Sequence, residues 1–287
     1  MLMGLVGVLV FSLTLPVTRR AVQEMPAELV GLGRTLPAAL LGLIVVALSR
    51  RLPTRGELPA VAVCALGVVF GFPLLSALAM RTVDASHGAV VLAVLPLLTA
   101  VAGALLAGER PSPRFWLWAA LGCLSVLTFA LARSRGGLAA GDLHLLAAAL
   151  LAAVGYAVGG RLARTVPGLL VIAWALLLSL PFLAALGWWW LWPLVNLRAS
   201  AVAWGCFAYV AVMSQFVGFF FWYRGLALGG VARVGQVQLL QTFFTLGASA
   251  LLLGERIDTA TLVFASVTLA MVWLARRERV DRSSDRR

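Results

Sequence analysis

Ten times along the chain about twenty residues pass with almost no charge, at 2–20, 28–49, 58–80, 86–107, 114–132, 142–160, 168–190, 201–223, 231–253 and 259–275. A helix of ~20 apolar residues crosses the hydrocarbon core of a bilayer, where only helices and closed barrels satisfy every backbone donor and acceptor. The runs predict an all-α integral membrane protein with ten transmembrane helices. Composition agrees, because 62% hydrophobic and 12% charged residues leave too little polar surface to wrap a soluble globule of 287 residues. The first run is read as a span and not as a secretory signal. It lacks a basic leading segment, and Arg19 and Arg20 stand where a small-residue cleavage site would be.

The net charge of +12 comes from 23 basic residues, all of them arginine. In a soluble chain that excess would suggest a nucleic-acid partner, but here the arginines lie at span ends, where they act as topology signals, and no nucleic acid is expected. If both termini are cytoplasmic, the inner side holds nine loop arginines and the six of the tail, against seven outside. Both ends are therefore predicted inside. Trp116, Trp118, Trp188, Trp189, Trp190 and Trp192 fall at span ends and suit the headgroup zone. Cys64, Cys123 and Cys206 lie within apolar runs and read as small hydrophobes. His87 and His144 have no ligand partner at close spacing, so neither a metal site nor a cofactor is expected.

The run LLAGERP at 105–111 nearly recurs as LLLGERI at 251–257, with Glu109 and Glu255 146 residues apart. At that offset the segment from Met80 to Arg110 falls on the segment from Leu226 to Arg256 without a gap. Arg20 and Pro26 fall on Arg161 and Pro167 at an offset of 141. This is the pattern of a duplicated unit of five spans, and an odd number turns the second copy over in the bilayer. The expected architecture is two inverted five-helix repeats, 1–136 and 137–276, around a central cavity, followed by a basic cytoplasmic tail at 277–287.

These residues carry a family resemblance. Two five-span halves, each with GER after its fourth span, LGRTLPAALLGL at 32–43 and YRGLALGGVA at 223–232, resemble the drug/metabolite transporter superfamily in its EamA-type branch. The resemblance implies a bacterial inner-membrane exporter of amino acids, related metabolites or toxic compounds, working through a cavity between the halves. A closer kinship to YddG-like amino-acid exporters is left open by the residues. Two positions depart from the pattern: the tryptophan frequent in span one is absent from VLVFSLTLP, and Thr242 replaces the proline expected in span nine, whereas its counterpart Pro96 is present.

Polar side chains at membrane depth are costly, so those retained should face other helices or a water-filled path. In span nine Gln238, Gln241, Thr242 and Thr245 fall on one helical face, opposite Leu240, Phe244 and Leu251. Four polar groups on one stripe exceed what a single helix contact needs, which favours a cavity lining over interhelical hydrogen bonding. In span eight Gln215, Phe219 and Trp222 combine an amide with two flat apolar surfaces. They suit an amphipathic organic solute, or equally a packed core. The comparable first-half positions are Ser12 and Pro16, Ser76 and Met80, and Pro96 and Thr99, and Tyr156 joins them from span six. His87, at the mouth of span four, is the candidate gate or proton group. Arg34 lies near the start of span two and is expected to snorkel to the outer interface.

Pro16, Pro37, Pro73, Pro96 and Pro181 should bend their spans. Three glycine pairs, Gly67 with Gly71, Gly155 with Gly159 and Gly225 with Gly229, should allow close helix packing. Spans five and ten carry few polar residues and should buttress the bundle. The acids all fall at span ends, in loops or in the tail, so no enzyme is expected. The favoured reading is a carrier of a small amphipathic solute; alternatives are a multidrug exporter, which would usually need an embedded carboxylate, and a non-transporting membrane protein. Oligomeric state is not legible.

Overall fold

The computed structural model describes residues 2–107, 109–133, 139–186, 195, 198–229, 231–235, 237–278 and 280–282. Trp188, Trp189, Trp190 and Trp192, the boundary between the two expected repeats and the end of the tail lie outside them. The described helices run α1 (Leu2–Ala21), α2 (Leu29–Ser49), α3 (Leu58–Ala79), α4 (Ala85–Leu106), α5 (Pro113–Phe129), α6 (Ala140–Leu162), α7 (Gly168–Ala185), α8 (Ala201–Gly229), α9 (Gln238–Leu253) and α10 (Thr259–Ala275). Seven of these are long and apolar enough to cross a membrane; α5, α9 and α10 are shorter apolar helices. A helical turn at Val231–Gly235 precedes α9. Glu109–Pro111 pairs antiparallel with Val280–Arg282 in a small ladder.

The prolines act where expected. Proline has no N–H to donate and its ring crowds the preceding turn, so the helix must adjust upstream. Leu13 interrupts α1 before Pro16. Wider π turns occupy Leu29–Gly33 before Pro37 and Ala65–Gly71 before Pro73, and a tighter 3-10 turn occupies Leu92–Val94 before Pro96. Pro181 sits within α7 without such an interruption.

Glycines set the closest helix contacts. A methyl group added at Gly67 of α3 would lie 3.1 Å from the Gly155 Cα of α6, and one at Gly225 of α8 would lie 2.8 Å from the Gly4 nitrogen of α1. Neither approach tolerates a side chain. α5 and α10 pack chiefly on each other, joined by a 3.0 Å bond between the Ser125 and Thr268 hydroxyls.

The connections sort to two ends. Arg19 meets Asp84 at 3.4 Å, and the Glu24 carboxylate takes the Ser200 N–H and hydroxyl at 2.7 and 2.9 Å. Glu255 accepts from the Ala85 and Ser86 N–H groups at 2.9 and 2.8 Å. These bonds join the α1–α2, α3–α4, α7–α8 and α9–α10 connections at one end. At the other, Arg161 donates to the Leu106 carbonyl at 3.1 Å.

Glu24 lies outside the spans. The Ser200 N–H, then the Ser200 hydroxyl and Arg20, hold its carboxyl below the usual range. A carboxyl whose pKa is lower folded than unfolded stabilises the fold above its unfolded pKa, and that contribution is lost as pH falls through the folded value. The difference in thermal midpoint between wild type and Glu24→Gln should therefore shrink as pH is lowered from 7 to ~3.5. A constant difference across that range would contradict the assignment.

Candidate functional site

The phase of α9 turns its polar stripe inward, while Leu240, Phe243, Phe244 and Leu251 are exposed. Gln238, Gln241, Thr242 and Thr245 meet Leu15 of α1 and Pro96 of α4 around a space of about 10 Å³. That is room for one water molecule. A second space of about 10 Å³ adjoins it, sharing Leu15, Leu92 and Gln241. Its other walls include Arg34, Tyr156, Ser214 and Phe219. Both halves of the chain thus contribute to two narrow interior spaces.

Hydrogen bonding separates groups that hold helices together from groups that have no protein partner. The Thr245 hydroxyl donates to the Ser12 carbonyl at 2.9 Å, and Thr14 bonds Ser214 at 2.9 Å. By contrast, both amide atoms of Gln238 are buried without a partner among the described residues. The same holds for the Arg34 Nε, although Arg34 is only 2% exposed. The expectation that Arg34 snorkels to the interface is corrected here. The wide turn at Leu29–Gly33 resets the helix phase, so residue 34 emerges on the inner side beside Tyr156.

The remaining sequence candidates are buried, but they do not border these two spaces. Gln215 donates its amide to the Val68 carbonyl at 3.0 Å, tying α8 to the π turn of α3. Ser12 donates to Val8, and Ser76 to Pro73, each within its own helix. The Met80 carbonyl accepts from Arg19 near the end of α3. Pro16 and Thr99 are buried, and the Thr99 hydroxyl has no partner among the described residues. Trp222 closes an aromatic cluster behind the second space, 5.5 Å from Tyr156 and 6.2 Å from Phe11 between ring centroids.

His87 does have a carboxylate partner, contrary to the expectation from spacing along the chain. Its Nε2 lies 2.6 Å from the Asp142 Oδ1, and its ring stacks on Phe129 at 4.9 Å. The pair sits at the end of the bundle, bordering a cavity of about 500 Å³ with Thr82, Asp84 and Glu255. Sequence spacing misses Asp142 because the contact joins different helices, 55 residues apart. Thr14, Ser214 and Arg34 were likewise missed; only their polarity at depth marked them.

A bundle of helices with apolar side chains outward and polar groups gathered about an interior space is the architecture of a multi-pass membrane transporter. The chain belongs to the EamA-like transporter family, which matches residues 1–131 and again residues 139–277. It is 40% identical over 278 residues to YdeK of Bacillus subtilis strain 168, described as an uncharacterized transporter, covering 96% of each chain. A solved crystal structure with 21% identity superposes with a TM-score of 0.66 over 96% of both chains, which establishes the likeness of fold.

Proposed function

We propose that the chain is a carrier that moves an amino acid or related small metabolite across the bacterial inner membrane by alternating access. Its moving parts are two inverted five-helix repeats, 1–136 and 137–276, with both termini cytoplasmic. The observation that carries the reading is the α9 stripe around an interior space, with the Gln238 amide buried and without a partner among the described residues. A buried polar group left without a partner costs ~1–3 kcal/mol, which a solute that bonds it can recover. Ten crossings are supported by the sorting of connections to two ends. The ladder between Glu109–Pro111 and Val280–Arg282 fits this too, since an even number of crossings after α4 returns the tail to that side. The family match to each half supports the duplication.

The test is uptake of a panel of radiolabelled amino acids into vesicles containing the purified protein. At least one should enter faster than into empty vesicles; if none does, the substrate class is wrong.

Coupling follows from the same depth argument. A proton carrier usually holds its proton on a group near the midplane, commonly a carboxylate. The described carboxylates lie towards the helix ends, and His87 is tied to Asp142 there. Solute should therefore equilibrate across buffered vesicles, and an imposed pH gradient should not drive it further. Several-fold accumulation abolished by a protonophore would contradict this, and its loss in His87→Ala would identify the proton group.

A further inference from the structure

Resting on the carrier reading, we infer that Arg34 is the binding group for a carboxylate on the solute, so that the carrier selects organic monocarboxylates with an apolar body. Arg34 lies within the span α2 and is 2% exposed, its Nε is buried without a partner, and it makes no hydrogen bond or ion pair with any described residue. A charge buried in this way is unfavourable unless an opposite charge reaches it. Of the described carboxylates near the bundle ends, Glu24 is engaged with Arg20 and Ser200, Glu57 with Arg51 and Thr54, Asp84 with Arg19, Asp142 with His87 and Glu255 with α4, and Glu28, at the start of the same helix, forms no ion pair with Arg34. Among the described residues Arg34 has no counter-ion, and a carboxylate on the solute would supply one.

The surroundings fix the rest of the chemistry. Arginine presents parallel N–H groups that match the two oxygens of a carboxylate. A phosphate dianion fits the same fork but would leave one buried negative charge uncompensated beside a single guanidinium. Beside Arg34, Phe11, Phe72 and Phe219 offer apolar surface, and Tyr156 and Gln241 add hydroxyl and amide groups. Among the described residues no carboxylate borders this space to receive an ammonium group. An α-amino group is therefore tolerated but not required, and a cationic amine without a carboxylate is excluded.

Thermal stabilisation of the full-length protein in detergent tests this without assuming transport. The probes are branched and aromatic L-amino acids, their des-amino acids, their methyl esters and their decarboxylated amines. Wild type should be stabilised by amino acids and des-amino acids of matching size, and by neither the esters nor the amines. In Arg34→Gln the ligand-free midpoint should not fall below that of wild type, and apparent affinity for the acids should drop at least tenfold. Arg34→Lys should retain weak binding. The inference is overturned if esters or amines stabilise as well as the acids, if Arg34→Gln binds the acids normally, or if no acid stabilises wild type. Uptake separates the two readings: an acid that binds at Arg34 without being transported defeats the carrier, whereas a transported solute that does not need its carboxylate defeats only the role of Arg34.

Discussion

Gln241→Leu should lower the initial rate of solute uptake about fivefold and leave the ligand-free thermal midpoint almost unchanged. Gln241 borders both interior spaces and makes no hydrogen bond to a described residue, so its loss removes no bond between helices. Leucine is close in volume, which keeps the packing. One hydrogen bond to the solute contributes ~1 kcal/mol net, and ~1.4 kcal/mol is a factor of ten in binding. Gln215→Leu is the internal control. That amide bonds the Val68 carbonyl, so its replacement should lower the thermal midpoint as well as uptake. If Gln241→Leu destabilised the protein as Gln215→Leu does, while transporting normally once folded, the α9 stripe would be a helix contact and not a lining.

Glu255→Ala should raise the labelling rate of a cysteine at Gln238, Thr242 or Thr245 by an order of magnitude, in a background lacking Cys64, Cys123 and Cys206. The native carboxylate spans the α9–α10 connection and the first turn of α4, accepting from two backbone N–H groups. A helix N-terminus favours an anion, and hydrogen bonds to a charged group contribute ~1.5–3 kcal/mol each. Two such bonds tie the α9–α10 connection to α4 at this end, so removing them should loosen the contact and admit a water-soluble thiol reagent to the stripe. Cysteines at Phe244 and Leu251, on the exposed apolar side of α9, should stay unlabelled in either background. Equal labelling of the two sets would remove the basis for an aqueous path along the stripe. At the 146-residue offset Glu109 corresponds to Glu255, and Ala85 and Ser86 to Val231 and Ala232.

The helices were legible because a membrane imposes one dominant rule, and an apolar run of sufficient length has few alternatives. The α9 stripe was legible for a related reason: Gln238, Gln241, Thr242 and Thr245 keep helical spacing, and the helix is regular across them. Arg34 was not, because Pro37 announces an adjustment upstream but not that it takes the form of a π turn at Leu29–Gly33, on which the direction of residue 34 depends. Its position near the start of a span suggested the interface, yet its phase about the axis carries it inward. Gln215 shows a different limit. An amide in a membrane helix reads the same whether it bonds a neighbouring backbone or faces a cavity, and only the position of the Val68 carbonyl distinguishes the two. The His87–Asp142 pair depended on the packing of α4 against α6, which spacing along the chain does not encode.

The central claim, alternating access around one interior site, is tested most directly by counterflow. Vesicles containing the protein are preloaded with an excess of the unlabelled solute identified by the uptake panel and diluted into a trace of the same solute, radiolabelled. A carrier returns loaded from the inside and re-exposes its site, so the label should rise transiently above its equilibrium level and then decay. The overshoot should disappear when preloading is omitted. A monotonic approach to equilibrium, unaffected by preloading, would mean that solute leaks through an open path and would contradict the account.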